Sequence, residues 1–539
     1  MPHIQLTGRF QQCSLSPDVV VYYYNKRPAV EMSLFEDALQ LSLWRAELKP
    51  FACVVVHVPS HEVILVRDHL GIEPLYYCHH QEKTLIIGQT IPDILEQLDS
   101  RPPWLENQIN MLFSEHKYYS DETLYQSIYR VEPGHIMHFK TNGSVIKTAF
   151  WQLDPHGPLL KYKDEREYLE HFSMLMNESI LNATENQTNV AAEFSAGLDS
   201  SAVYCATVNI NVTPKLYMHI AQSGTKSANI YNDFHEKAFV DYYQLADIQR
   251  IGAEDFDPLQ VFDQYASWFA GPLAYLFPIF ASQLHRSVAA GKHSILLSGF
   301  GGDQCVSGQL PLNFFLPELI YQGMHRQAWR ELNGRPVIKK ALLYAKHMHP
   351  SLYAQALNMK VMKRYLHNAL RPNMAPQSTR LHPYERMHYP SVREAESALL
   401  QGTESHEVRM RIEDSSIASK QMGFEYRYPL LYPKLLEFML SVPTVQKRRD
   451  GRGRYLIRQY LSQFLPADLF NTYRKQSGLG IVPSTFDLYQ QQYEQGCYQH
   501  AFKDLPYSHL IQNNHQAIEM RNYIKGFMFG SASLKIPIE

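Results

Sequence analysis

No Cys-x-x-C pair occurs in this sequence. Its six cysteines, Cys13, Cys53, Cys78, Cys205, Cys305 and Cys497, are scattered over 539 residues. Such scatter argues against a disulfide scaffold and against a zinc site, so reduced, partly buried thiols of a cytosolic protein are expected. Neither sign of charge is in excess: 51 Lys and Arg stand against 53 Asp and Glu, a formal net charge of −2. Without a global basic field no nucleic-acid partner is expected, and any anion must be held by a local site. Long apolar runs are missing too. Stretches such as Phe51–Val56 are of strand length, far below a membrane span, so no membrane partner is expected either. The opening Met-Pro-His-Ile-Gln-Leu-Thr lacks a basic stretch followed by an apolar one, and a cytoplasmic location is the expectation. There is no Gly-Lys-Ser/Thr of a Walker loop, no internal repeat and no low-complexity tract.

Length predicts two or three domains. Residues 1 to about 150 read as β, with Val19–Tyr24, Cys53–Val58, Val63–Arg67 and Thr84–Gly88 broken by polar turns. Phe51–Pro59 and Glu62–Arg67 predict a hairpin that turns at Pro59-Ser60-His61. Pro155-His156-Gly157-Pro158 marks a boundary, giving expected domains 1–160 and 161–539. Beyond it come an amphipathic helix over Glu165–Ala183, a buried strand over Asn189–Phe194, a Ser/Gly turn and a helix from about Ser200. Strand-like Leu216–Ala221 and Ser294–Leu297 follow. Strands alternating with helices predict an α/β fold with a doubly wound parallel sheet, whose ligands bind at the carboxyl ends of the strands. Residues 310 to about 410 read as a helical insertion rich in Lys, Tyr, His and Met, an ordinary solvated helical lid on composition alone. His347 and His349 are two apart and would face different ways on a helix, which argues against a metal pair.

The chemistry concentrates in Phe194-Ser195-Ala196-Gly197-Leu198-Asp199-Ser200-Ser201. Small residues let the backbone approach a phosphate, and a helix N-terminus offers free N–H groups to it. The hydroxyls of Ser195, Ser200 and Ser201 add donors, and Asp199 suits a magnesium ion bridging phosphates. The same residues would also suit a turn that merely caps a helix. A methyl at Ala196 is tolerated where φ is negative. Leu297-Ser298-Gly299-Phe300-Gly301-Gly302-Asp303 follows another buried strand, so Gly299, Gly301 and Asp303 belong to the same sheet edge. Asp199 and Asp303 can then converge on magnesium and triphosphate. A Gly-rich turn with a solvated aspartate is the plainer alternative. Gly423–Leu431 and Lys475-Gln476-Ser477-Gly478 read as a helix-flanking loop and a lysine in a turn.

The order Ser-small-Gly-Leu-Asp-Ser-Ser after a strand resembles the pyrophosphate loop of ATP pyrophosphatases. That resemblance implies ATP with Mg2+, and AMP and pyrophosphate as products. With the Ser298 loop, Glu425 and Lys475, the C-terminal part resembles the synthetase domain of asparagine and β-lactam synthetases. Glu425 is then implied in the active site, and Lys475 as the cation meeting pyrophosphate and developing charge. Arg67–Tyr77 and Ile128–His135 resemble glutaminase-domain motifs, implying an N-terminal Ntn-hydrolase-like α/β sandwich. Such a domain works through a cysteine at its first residue; Pro2 stands there and Cys13 is too far along, so a degenerate glutaminase is expected. Phe300 stands where asparagine synthetases resemble this site with Glu and β-lactam synthetases with Tyr, and phenylalanine exchanges no proton. Taken together the chain looks like a lasso peptide cyclase. This implies adenylation of an Asp or Glu side chain of a precursor peptide and attack by the peptide's own N-terminal amine. It also implies a leader peptidase and a leader-binding protein as pathway partners. A small-molecule amide or β-lactam synthetase and an ammonia-dependent asparagine synthetase are the alternatives. A non-catalytic binding protein is a third, disfavoured because Asp199, Ser200, Ser201, Asp303, Glu425 and Lys475 occur together.

Overall fold

The computed structural model describes residues 3–24, 27–29, 32, 34–80, 84–105, 107–108, 121–220, 226–245, 247–252, 259–271, 278, 281–306, 310, 312–348, 391–401 and 407–471. Lys475, His349, Cys497 and Pro2 lie outside them, as does the centre of the 310–410 region.

The N-terminal domain contributes ten strands: β1 (His3–Leu6), β2 (Phe10–Ser14), β3 (Val19–Tyr24), β4 (Ala52–His57), β5 (Glu62–Arg67), β6 (Tyr76–His80), β7 (Thr84–Gly88), β8 (Ile128–Arg130), β9 (His135–Phe139) and β10 (Val145–Ala149). They form two sheets, of order β1-β7-β6-β8 and β10-β9-β5-β4-β3-β2. Alternation along β4 explains why the sheets stack. Val54 and Val56 face one way and meet Leu85 and Ile87 of the smaller sheet in one buried cluster. Cys53 and Val55 face the other way, into a second cluster that continues through Trp44 and Phe51 to the C-terminal domain. The hairpin expected at β4 and β5 is present, with Ala52 opposite Arg67, and His61 makes its turn at φ +56°.

After the coil around residue 155, helix α1 (Glu165–Thr184) leads into a wholly parallel sheet. Its strands are β11 (Val190–Phe194), β12 (Lys215–Ile220), β13 (Ile248–Gly252), β14 (Ile295–Leu297) and β15 (Glu425–Arg427), in order β13-β12-β11-β14-β15. The chain proceeds from β11 outward through β12 and β13, then returns to start β14 on the other side. The order therefore reverses between β11 and β14, and the crevice at their carboxyl ends is where such sheets bind ligands. Gly423–Leu431, expected as a helix-flanking loop, instead supplies β15. Helix α2 (Leu198–Asn209) follows β11 directly; α3 (Glu407–Gln421) precedes β15; α4 (Tyr455–Leu461) follows it. The 310–410 region is helical where described, over Leu312–Tyr321, His325–Glu331, Val337–Met348 and Val392–Gln401.

A desolvated ion network joins the two domains. Glu413 of α3 accepts from Arg67 Nη2 at 2.7 Å, from Arg130 Nε at 2.9 Å and from the Tyr76 hydroxyl at 2.8 Å. The rest of the Arg67 guanidinium donates to the carbonyls of Glu73, Val131 and Gly71, so the charge is buried fully partnered. Lys420 of α3 pairs with Glu73 beside it. No described helix is long and apolar enough to cross a membrane.

Candidate active site

Two loops leave the sheet side by side at the reversal point. The first leaves β11 and turns at Ala196, whose φ of +53° lies in the left-handed region. The tolerance expected for that methyl assumed a negative φ, so Ala196 holds its place under strain. Gly197 precedes helix α2, and Ser201 N–H donates to its carbonyl at 2.9 Å as the first helical turn closes. Ser200 Oγ holds the turn from inside: it accepts from Ser195 N–H at 3.2 Å, lies 3.1 Å from Ser195 Oγ and donates to Gly197 O at 3.2 Å. Leu198 is buried as the helix's first core contact, and Asp199 sits in its first turn.

The second loop leaves β14 and packs directly on the first. A Cβ on Gly299 would lie 2.8 Å from Ser200 N, and one on Gly302 would lie 2.4 Å from Asp199 Oδ1. Gly301 has φ +96° and no room for a Cβ against Leu431. Ser298 anchors the loop by donating from Oγ to Glu193 Oε2 at 2.5 Å and accepting from Phe300 N–H at 3.2 Å. Glu193 also accepts from the Tyr426 hydroxyl, so one carboxylate ties β11, β14 and β15 together. Phe300 lies under the Arg411 guanidinium, 3.9 Å from ring centre, with the Tyr428 ring 6.0 Å away.

Asp199 and Asp303 do converge, and the group between them is Arg454. Its Nη2 donates to Asp303 Oδ1 at 2.5 Å, and its Nη1 lies 3.6 Å from Asp199 Oδ2. Asp199 Oδ1 is buried with no hydrogen-bond partner. Two facing carboxylates, a cation already between them and an unserved carboxylate oxygen fit a hard divalent cation. Among the described residues no group of three or more metal-ligating side chains exists, so Mg2+ here would complete its shell from phosphate oxygens and water. Arg454 escaped the sequence reading because it belongs to no motif; its one signal is a Gly-Arg-Gly-Arg turn opening a helix. Glu193 left a clearer trace, a carboxylate inside an apolar strand.

Glu425 is not brought to these loops. It stands opposite Ile295 at the amino end of β15, two residues before the level at which Ser298 N–H donates to Arg427 O. Its carboxylate pairs with Arg427, whose guanidinium also reaches Glu185 at 3.1 Å just beyond α1. Two residues of strand are about 6.6 Å, and Glu185 lies on the approach to β11, so Glu425 faces the opposite edge from the phosphate loops. The parallel strand carries Glu425 away from the carboxyl edge, where its carboxylate is paired with Arg427. Lys475 lies outside the described residues.

A parallel sheet with two small-residue loops at its reversal point, one opening a helix and each carrying an aspartate, is the architecture of a nucleotide-using α/β domain. Residues 171–495 match the family model described as asparagine synthase, and residues 48–151 match that of a glutamine amidotransferase domain. The first match takes in more than half of the 539 residues, and the chain belongs to the asparagine synthase family. Among relatives, Amidase chry2 of Gibberella zeae is 26% identical over 180 residues, covering 33% of this chain and 25% of that protein. A putative asparagine synthetase (glutamine-hydrolyzing) 2 of Methanocaldococcus jannaschii is 23% identical over 252 residues, covering 45% of this chain and 46% of its own length. The matched stretch thus spans less than half of either relative.

Proposed function

We propose that this chain is an ATP-dependent amide ligase that closes a macrolactam in a ribosomally made peptide. An Asp or Glu side-chain carboxylate of the precursor attacks the α-phosphorus of ATP, and pyrophosphate leaves. The peptide's N-terminal amine then attacks the acyl carbon, AMP leaves, and the amine's proton passes to solvent. Ser195, Gly197, Leu198, Ser200 and Ser201 are assigned to the phosphates, which would meet the N–H groups opening α2 while the Ser200 hydroxyl braces the turn; Gly299 and Gly301 would allow close approach from the other side. Asp199 and Asp303 would hold Mg2+, which when bound neutralises the triphosphate. Lys475 is assigned to the pyrophosphate and to the charge that grows as the adenylate forms.

The observation that carries the reading is Phe300. It sits beside an intact carboxylate pair and donor loops, yet exchanges no proton, and burial raises the thiols of Cys53 and Cys78 in the N-terminal sheets. An amine delivered by the substrate itself needs neither an ammonia source nor strong activation, because effective concentration replaces both. Pathway partners are proposed with it: the precursor peptide, a leader peptidase and a leader-binding protein, in the cytoplasm.

The relative named a putative asparagine synthetase favours a second reading, in which aspartate is adenylated and ammonia attacks. One experiment separates the two. The protein is incubated with ATP and Mg2+, either with candidate precursor peptides bearing a free N-terminus and an internal Asp or Glu, or with aspartate and ammonium. Macrolactam formation appears as loss of one water from the peptide with stoichiometric AMP. Asparagine formation without any peptide product would overturn it, and ADP with phosphate as products would overturn both readings.

A further inference from the structure

Arg454 stands in the gap that a divalent cation would take. The gap is shielded: side-chain exposures are 8% for Arg454, 17% for Asp199 and 22% for Asp303. A single guanidinium contacts both carboxylates and still leaves Asp199 Oδ1 buried without a partner. The backbone supports the same placement. Arg454 has φ +62° at the N-cap of α4, a left-handed conformation in which an arginine is strained and persists only where its surroundings over-determine it. No glycine takes that position although Gly451 and Gly453 are close by, so the turn keeps the side chain at a cost.

We infer that Arg454 is a built-in counter-ion that holds Asp199 and Asp303 in register before nucleotide arrives and gives way to the divalent cation that comes with ATP. This rests on the ATP site proposed above. Facing carboxylates repel, and shielding from water strengthens that repulsion. The guanidinium removes it. A metal ion and the Arg454 bridge compete for the same carboxylate oxygens, so by linkage each weakens the other. A bare cation must displace the arginine and leave it unpaired in a shielded place. A cation arriving with triphosphate brings phosphate oxygens, and a planar guanidinium fork matches those bidentately. Metal therefore enters with ATP and not before it, and the loops never face each other uncompensated. Arg454 is on this account a positioning residue, with the phosphate as its second partner.

The test uses the full chain and two readouts. Free Mn2+ is counted by electron paramagnetic resonance while the nucleotide-free protein is titrated, and binding of a fluorescent ATP analogue with Mg2+ is measured separately. Arg454→Gln is expected to tighten Mn2+ binding on the order of tenfold and to weaken the nucleotide by a similar factor. Arg454→Lys, which keeps charge but loses the fork, should fall between wild type and Gln on both. A merely structural role would lower both affinities together. Mn2+ affinity unchanged or weaker in folded Arg454→Gln overturns the inference; if that variant does not fold, the same result in Arg454→Lys overturns it. Wild-type protein that fails to bind the ATP analogue would instead overturn the ATP site itself, because the Mn2+ titrations still report on the counter-ion.

Discussion

Ala196 shows how a single methyl reports on a loop. The chain must turn sharply between the end of β11 and the start of α2, and the left-handed φ there is the cheapest for glycine. Alanine bears about 1–2 kcal/mol of strain, offset in part by the lower entropy of its unfolded chain. Ala196→Gly should therefore leave the midpoint of chemical unfolding equal or slightly higher. Ala196→Val should cost about 1–3 kcal/mol, and a valine variant as stable as wild type would show that the turn relaxes. Glu425 gives the complementary case. It is implied in the active site yet pairs with Arg427 at the amino end of β15; if that pairing is its whole role, Glu425→Gln should spare amide formation within a few-fold while lowering thermal stability. Lys475→Ala should slow pyrophosphate exchange by roughly a hundredfold or more. If the Gln variant keeps pyrophosphate exchange but loses amide formation, Glu425 works in the amine step after all.

At the scale of elements, legibility followed length and chemistry. The 20-residue α1 and the β4–β5 hairpin could be read from periodicity and turn residues because each repeats its signal several times. Strand β15 could not: three residues, Glu-Tyr-Arg, are too short for a period, and what makes them a strand is the exposed edge of β14. Both aspartate loops were legible because close backbone packing leaves few residue types possible. Arg454 was not, since its role depends on a spatial neighbour about 150 residues away in sequence. Helix α3 illustrates the same limit. Glu413 reads as an ordinary helical glutamate, yet Arg67, Arg130 and Tyr76 surround it. Burial pushes its carboxyl up, but Arg130 and Arg67 outweigh that and hold it at about 2. A depressed carboxyl contributes stability above its unfolded value, lost only as pH falls toward 2. Glu413→Gln leaves two buried guanidinium groups short of a counter-charge and should cost about 3–5 kcal/mol at neutral pH. His69 behaves oppositely: burial lowers it to about 4, against the hydrogen bond to Arg45 O, so it is neutral in the fold. Unfolded chain takes up that proton near 6.5, so stability should fall by about 3 kcal/mol between pH 6.5 and 4. In His69→Gln that portion of the pH profile should flatten; an unchanged slope would assign the acid sensitivity elsewhere.

Across the whole molecule, the motifs that resemble a glutaminase turn out to hold the two domains together. Arg67, Glu73, Tyr76 and Arg130 lie in those motifs, and each reaches α3 directly or through its partner. The N-terminal sandwich therefore has a structural reason to persist whether or not it handles glutamine. Burial raises the Cys53 thiol far above its usual range and pushes Cys78 up to about 11, so neither is a thiolate near neutral pH. Cys13 is half-buried on β2 with Arg27 Nη1 3.2 Å from its sulfur. A cation alone does not make an amidase; a nucleophilic thiol also needs a base to take and return the proton. The glutamine amidotransferase match itself begins at residue 48, beyond Cys13. We expect glutamine to be inert: with ATP and the acyl substrate present, glutamate should not form above the rate of heat-killed protein, and Cys13→Ala should change nothing. Glutamate release that disappears in Cys13→Ala would identify that thiol as a nucleophile and return an ammonia source to the reaction. Release that survives the substitution would place the hydrolytic group elsewhere and remove the ground for an amine supplied by the substrate.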